Sequence, residues 1–244
     1  MSLLRREALN ELVSLGQTQV QIAEALGMTR SRIGQLLASG PRPERAFLGS
    51  GRLSVALGGK LEAGKNQPGP VVSDGTLAAY ESLARLARTL GLESDYEIIP
   101  PPGMVHLNRT NLVVICGPRL SPIIAQVLES DPNLGFEHDD EGWCIVDKTT
   151  ETVLRSPASS GALEDFAYIG RLPRPDRKGT FLYIAGIHAT GALGAVHYLE
   201  NHLPDLYREV KTRGFSLAVR MTYDESRAPT VTELATPIYR HEVI

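Results

Sequence analysis

The sequence predicts an α/β protein in which a small all-α domain, residues 1–45, precedes a three-layer α/β domain with a mixed sheet, residues 51–244. Two observations predict this fold class. The apolar residues of the first 37 positions recur with helical spacing, and the Gly- and Pro-containing run 39–45 then interrupts the pattern. From residue 51 onward, strand-like and helix-like segments alternate, which is typical of a sheet covered by helices.

The first domain is predicted to contain three helices. Residues 3–15 carry apolar side chains on one face and are followed by Gly16, a residue type that commonly ends helices. A second helix is expected after Thr18 and a third after Thr29, because threonine is a preferred N-cap residue.

The second domain is predicted to mix parallel and antiparallel strands. The continuous apolar run 111–116 is typical of a strand buried on both faces of a parallel sheet. Ser121 and Pro122 have the chemistry of a helix start. Predicted strands cover 53–57, 96–99, 111–116, 166–170, 181–185, 215–223 and 231–240, with a meander at 135–155 and a loop at 58–70. Predicted helices cover 74–90, a segment from Pro122, 192–202 and 206–212.

The charge distribution along the chain favours local rather than general binding to nucleic acid. The formal net charge of −3 argues against a protein that coats nucleic acid over its whole surface. Residues 1–45 contain six arginines and four glutamates, a net charge of +2, which leaves −5 for the rest of the chain. This asymmetry has the sign expected of a DNA-binding head on an acidic body.

The cysteine content and the N-terminal sequence predict a cytoplasmic protein. Cys116 and Cys144 are interpreted as reduced, partly buried thiols, because two cysteines do not make a disulfide scaffold. The N-terminus carries charges among its apolar residues and does not resemble a signal peptide. The 19 residues 181–199 lack formal charges, but their pattern changes midway from strand to helix, so no membrane partner is expected.

Residues 18–37 have the pattern of a helix-turn-helix. Two helices that cross steeply need a small residue at their contact, which is Ala23, and the tight turn needs a residue that tolerates positive φ, which is Gly27. The inner faces are predicted to consist of Ile22, Leu26, Met28, Ile33 and Leu36.

The third predicted helix presents its first turn outward because Thr29 caps it. Side chains there reach guanine, adenine and phosphate in a major groove, so the predicted DNA-binding residues are Thr29, Arg30, Ser31, Arg32 and Gln35. The segment resembles the helix-turn-helix of bacterial transcriptional regulators and of sigma factors, which implies double-stranded DNA as partner. So small a module needs a homodimer on paired half-sites or another DNA-bound protein. A helical hairpin used for dimerisation or packing is the alternative.

Three polar clusters in the second domain predict a ligand site, two of them directly after predicted strands. In the first, Gly117 allows a turn, Arg119 supplies a positive charge and Ser121 starts a helix whose N–H groups attract anions. An ordinary strand-to-helix loop is the alternative for this cluster.

The second cluster consists of Gly186, His188, Thr190 and Gly191, where glycines allow close approach and two polar side chains contact a ligand. A structural histidine is the alternative here. The third runs from Asp165 to Asp176, where Tyr168, Arg171 and Arg174 suit a carboxylate or phosphate ligand. Alternatively, Asp165 and Asp176 pair with these arginines in a structural network.

No cofactor or metal is predicted. Residues 59–65 match the start of a nucleotide-binding phosphate loop, but Asn66 replaces the magnesium-binding Ser or Thr and 68–70 prevent the following helix. The six histidines form no clear ligand motif, and His197 and His202 are five residues apart rather than four.

The chain as a whole resembles actinobacterial helix-turn-helix regulators with a larger C-terminal α/β domain. The residues that carry this resemblance are 32–36, 43–47, 116–119 and 168–173. We therefore expect a DNA-binding transcriptional regulator whose second domain senses a small anionic or nucleotide-like ligand and mediates oligomerisation. One alternative is a nucleotide- or nucleoside-processing enzyme of glycosidase or transferase type, with Asp165 and His188 in acid–base roles. Another is a scaffold that only oligomerises.

Overall fold

The computed structural model describes residues 12–13, 17–38 and 42–241. In this part of the chain six helices accompany an eight-stranded mixed sheet and two smaller sheets. The helices are α1 (Gln19–Ala25), α2 (Arg30–Ala38), α3 (Arg45–Leu48), α4 (Asp74–Thr89), α5 (Pro122–Leu128) and α6 (Ala189–Val210). The strands are β1 (Arg52–Gly58), β2 (Lys60–Leu61), β3 (Pro70–Val71), β4 (Glu93–Ile99), β5 (Leu112–Ile115), β6 (Leu134–Asp139), β7 (Gly142–Asp147), β8 (Thr152–Arg155), β9 (Glu164–Pro173), β10 (Thr180–Gly186), β11 (Gly214–Tyr223), β12 (Pro229–Leu234) and β13 (Tyr239–His241).

The central sheet has the order β12-β11-β9-β10-β5-β1-β4, and β13 pairs with β11 beside β12. The strands β4, β1, β5 and β10 are parallel, whereas the pairs β10–β9, β9–β11 and β11–β12 are antiparallel. The prediction of an α/β protein with a mixed sheet is therefore confirmed.

Apolar side chains cover both faces of this sheet. On β1, Val55 and Leu57 join a core with α4 and α6, while Ala56 points into the opposite core with residues of α5 and of the β6–β8 meander. Burial on both faces explains the continuous apolar runs in the parallel strands. None of the described helices combines the length and the apolar character that a bilayer crossing requires.

Local cap chemistry sets the ends of several elements. The Ser73 hydroxyl accepts a hydrogen bond from the Thr76 N–H at 3.3 Å and caps α4. The Leu90 C-cap ends α4, and Gly91 follows at φ +72°. Ser121 caps α5, and Pro122 takes its first position, where a missing N–H leaves no intrahelical bond unmade.

The prediction of two helices over 192–202 and 206–212 is wrong, because α6 is continuous and contains Pro204. Buried Leu203 and Leu206 continue its apolar stripe across the proline, so packing outweighs the lost backbone hydrogen bond. Two smaller differences concern strands: 231–240 forms β12 and β13 rather than one strand, and the loop 58–70 contains the short pair β2–β3.

In the N-terminal segment, Ile22, Ala23 and Ile33 are buried together and pack against Leu12. The prediction that Leu26 and Met28 are internal is wrong, since both are exposed, which follows from their position in and after the turn rather than on the facing helix surfaces. Of the predicted helix 3–15, only residues 12–13 are among the described residues. The side chain of Leu36 also lies outside the described part of the chain.

The short helix α3 is anchored in the larger core by Phe47. The Phe47 ring is fully buried, and its centroid lies 5.7 Å from the centroid of the Phe215 ring. The Cζ atom of the Arg171 guanidinium lies over the Phe47 ring, 5.0 Å from the same centroid. Arg171 also donates a hydrogen bond to the Phe47 carbonyl oxygen. The chain that follows the N-terminal helices is thus fixed to β9 and β11.

Replacing Phe47 with alanine is expected to lower the free energy of unfolding by about 3–5 kcal/mol, because the change removes a buried ring and leaves a cavity. Urea denaturation measures this, and Leu61→Ala, at an exposed position, serves as the control with an expected change within about 0.5 kcal/mol. Equal stability of the two variants would contradict the anchoring role of α3.

Candidate functional site

A cleft opens at the carboxyl ends of the parallel strands β1, β5 and β10. Its floor contains Gly58 at the end of β1, Gly117 after β5 and Gly186 at the end of β10. In the sheet, β4 lies next to β1 on one side and β5 lies next to β1 on the other side. The strand order therefore reverses at β1. Such a switch point is the usual ligand position in open α/β sheets.

The two longest helices begin at this cleft. Ser73 and Thr76 of the α4 start, and Ala189 of the α6 start, belong to the cleft wall. The N-cap of α6, His188, makes no side-chain cap hydrogen bond. Helix N-termini carry partial positive charge and N–H groups that attract an anion, which suits the start of α6. At the start of α4, the Thr76 and Gly75 N–H groups are already bound by Ser73 and Asp74.

His188 is held by a buried carboxylate. Its ring Nδ1 lies 3.4 Å from Asp165 Oδ1, and its backbone N–H donates to Asp165 Oδ2 at 3.0 Å. The Asp165 side chain is 1% exposed and the His188 side chain is 44% exposed. The hydrogen bond to Asp165 raises the pKa of His188, while burial and the positive charge of Arg119 oppose the shift.

The turn between β10 and α6 is built around Asp165. Its Oδ1 accepts from the Phe166 N–H at 2.9 Å, and the Ile187 N–H donates to the Phe166 carbonyl at 2.9 Å. A Cβ on Gly191 would lie 2.7 Å from Asp165 Oδ2, so only glycine fits beside the carboxylate. The glycines of this turn therefore allow close packing of the chain on itself.

The cleft has two adjoining parts that share Lys60, Arg119, His188 and Ala189. The smaller part, about 40 Å³, lies beside Cys116, Phe136 and Trp143. The larger part, about 460 Å³, extends past Thr190 toward the end of β11. Both parts thus contain the same two cations and the same histidine. The remaining polar residues of the larger part are Asp74, Glu164, Tyr223 and Arg227.

One of the two acidic residues of the larger part is neutralised. Glu164 accepts hydrogen bonds from the Arg220 guanidinium, which holds its pKa below the ordinary value. Asp74 accepts a hydrogen bond from the Gly75 N–H at 2.8 Å and keeps its charge. Lys60, Arg119 and Arg227 form no salt bridge with a described residue, so cations outnumber the free carboxylate along the cleft.

Cys116 lies at the cleft floor as a neutral thiol. Burial raises its pKa to about 12, against the opposing charge of Arg119. A thiol with so high a pKa is a poor nucleophile at neutral pH, so Cys116 contributes shape rather than reactivity.

Six of the ten predicted ligand residues meet at this place. Gly117, Arg119, Gly186, His188 and Thr190 line the cleft, and Asp165 lies directly behind His188. Gly191 is next to Asp165 and serves the turn. These residues lie together because the ends of neighbouring parallel strands meet at one edge of the sheet.

Ser121, Tyr168 and Arg171 lie elsewhere. The buried Ser121 hydroxyl donates to the Gly103 carbonyl and caps α5. Tyr168 lies on the opposite face of β9 from Asp165, and its hydroxyl donates to Asp131 at 2.7 Å. Arg171 is six residues along the strand from Asp165, about 20 Å at strand spacing, and packs on Phe47.

Several cleft residues were missed from the sequence. Lys60 belongs to the rejected phosphate-loop match, and Ser73 directly precedes the predicted helix 74–90. Phe136 and Trp143 come from the β6–β7 hairpin, and Tyr223 comes from the end of β11. No local motif marks these last three, because they reach the cleft only through tertiary packing.

The predicted DNA-binding residues lie at the start of α2. The Thr29 hydroxyl accepts from the Arg32 N–H at 3.2 Å, and Thr29, Arg30, Ser31 and Arg32 are exposed. Gln35 belongs to α2, but its side chain lies outside the described residues.

No family model matches the chain, and neither a curated protein nor a solved structure is significantly similar to it. Among the described residues, no group of three or more His, Cys, Asp or Glu side chains is placed to hold a metal ion.

His188 is expected to titrate above the ordinary histidine pKa, because Asp165 stabilises its protonated ring. NMR titration of the imidazole signals measures this, with exposed His106 as the reference. In Asp165→Asn the pKa of His188 should fall. Because the folded-state pKa is raised, the stabilisation is complete below the unfolded-state pKa and is lost as pH rises through the folded-state value. An unchanged His188 pKa in this variant would contradict the assigned pair.

Proposed function

We propose that the chain is a DNA-binding transcriptional regulator whose cleft binds a small anionic, nucleotide-like ligand. The observation that carries the proposal is the exposed basic first turn of α2, where Arg30 and Arg32 follow the Thr29 cap. A helix start with two arginines and a free face suits the major groove of DNA.

The geometry of α1 and α2 supports a helix-turn-helix domain. Thr18 and Gln21 form a capping box at the start of α1. Gly27 has φ +61° in the turn, and the Met28 N–H donates to the Ala23 carbonyl at 2.9 Å. The buried contact between the helices involves Ala23, the small residue that a steep crossing requires.

The cleft chemistry supports an anionic ligand with an aromatic part. Lys60, Arg119 and the α6 N-terminus favour a phosphate or carboxylate. Phe136 and Trp143 at the other end of the cleft offer aromatic surface for a base. A nucleotide-like molecule combines both features.

The long helices supply a route from ligand to DNA. At about 1.5 Å per residue, α4 spans about 24 Å and α6 about 33 Å. Leu86 near the end of α4 and Pro204 of α6 line a second cleft of about 330 Å³ together with Arg42 and Glu44. A ligand that favours one arrangement of α4 and α6 would thereby bias the segment that leads to the DNA-binding helices. A homodimer would present two such heads to paired half-sites.

Selection from fragmented genomic DNA tests the first half of this proposal. The wild type should recover a few sites, and Arg30→Ala/Arg32→Ala should lose them, because each base or phosphate contact contributes strongly to specific binding. Arg208→Ala/Arg213→Ala, which removes the same charge from exposed positions, serves as the matched control. Equal recovery by the wild type and the α2 variant would refute DNA recognition by this helix.

Thermal unfolding with inorganic phosphate and nucleoside 5′-monophosphates tests the second half. A ligand present at about 100 times its Kd should stabilise the fold by about 2.7 kcal/mol and raise Tm. Arg119→Ala should lose this shift, whereas Arg213→Ala should keep it. If no phosphate compound raises Tm in the wild type, the cleft does not bind this class of ligand, whatever the DNA result.

A further inference from the structure

We propose that the cleft hydrolyses the phosphoester of the ligand it binds, with His188 as the general base and Asp165 as the positioning residue. This inference rests on the proposed anion-binding cleft but not on DNA binding. It adds turnover to sensing, so the protein would remove the ligand to which it responds.

The orientation of His188 is the first argument. Because Nδ1 faces the Asp165 carboxylate at 3.4 Å, the neutral ring carries its proton on Nδ1. Nε2 then has a free lone pair, and His188 borders both parts of the cleft. A water molecule beside Nε2 would therefore lose its proton to the imidazole.

The burial of Asp165 is the second argument. A carboxylate that is 1% exposed is costly unless it is well paired. Two of its hydrogen bonds come from backbone N–H groups and explain the turn. The third contact, to the half-exposed His188 ring, is not needed for the turn but is the arrangement that orients a histidine base and stabilises its protonated form.

The surroundings suit phosphoryl chemistry. Lys60 and Arg119 border the same space as His188 and would neutralise the charge that builds up on the phosphoryl oxygens. Tyr223 also borders the larger part of the cleft, and its buried hydroxyl lies near Thr190 outside hydrogen-bonding geometry, with no partner among the described atoms. Burial raises the pKa of Tyr223, so the hydroxyl stays protonated; because protein atoms enclose it, Tyr223 shapes the wall of the cleft rather than contacting a phosphoryl oxygen.

The reaction needs only water. His188 Nε2 takes a proton from water, the water oxygen forms a bond to phosphorus, and the ester P–O bond breaks with its electron pair leaving on the alcohol oxygen. That oxygen takes a proton from solvent, and His188 returns its proton to solvent. The products are an alcohol and inorganic phosphate.

Phosphate release from p-nitrophenyl phosphate and nucleoside 5′-monophosphates tests the proposal. The wild type should turn over at least one of them, and His188→Ala should lower kcat by about 10²–10⁴-fold, the usual contribution of a general base. His106→Ala, at an exposed position outside the cleft, should retain full activity.

The dependence of kcat on pH distinguishes a positioning role of Asp165 in catalysis from a purely structural role. The rate should rise as pH passes the His188 pKa, since only the neutral ring accepts a proton. Asp165→Asn should lower kcat and move the midpoint to lower pH, because the protonated ring loses its partner. If Asp165 served the turn alone, the midpoint would not move.

The outcomes separate this inference from the proposed function. If phosphate compounds raise Tm through Arg119 but no substrate is turned over above the His188→Ala rate, the hydrolysis is overturned and the sensor remains. Absence of both binding and turnover would overturn both for this cleft, while DNA selection is decided independently.

Discussion

The burial of the Asp165 carboxylate constrains the whole cleft. Its oxygens accept two backbone N–H groups and contact the His188 ring, and so they join the start of β9 to the N-terminus of α6. Only glycine fits at 191 beside this carboxylate. The direction in which α6 leaves the sheet, and with it the position of the histidine, thus depends on keeping one buried charge hydrogen-bonded.

The mixed sheet explains why this carboxylate reaches the cleft at all. In a purely parallel sheet, the carboxyl edge receives only strand ends. Here β9 runs antiparallel to β10, with Ala167 opposite Gly186, so the beginning of β9 lies at the same edge as the end of β10. The antiparallel strand therefore delivers a residue from its start, Asp165, to the N-cap of the helix that follows its neighbour.

Local sequence patterns predicted the mixed sheet and the strand-end residues Arg119 and His188, because strand ends and helix caps depend on neighbouring residues. The pattern failed where long-range geometry decides. Asp165, Tyr168 and Arg171 are close in sequence, but the two-residue period of a strand sends Tyr168 to the other face and its rise carries Arg171 away. Trp143 reaches the cleft from a hairpin that no local signal relates to it.

Arg171 holds the short helix α3 against the larger core. Burial, with no carboxylate partner among the described residues, lowers the pKa of this arginine to about 10, and its guanidinium donates to the Phe47 carbonyl oxygen. The anchor of α3 is therefore a desolvated cation on an aromatic ring, which is stable only while the ring stays in place. Directly ahead of this anchor, Arg42 and Glu44 line a cleft together with Leu86 of α4 and Pro204 of α6. The anchor at Phe47 thus fixes where the chain enters the larger core, beside the ends of the two longest helices.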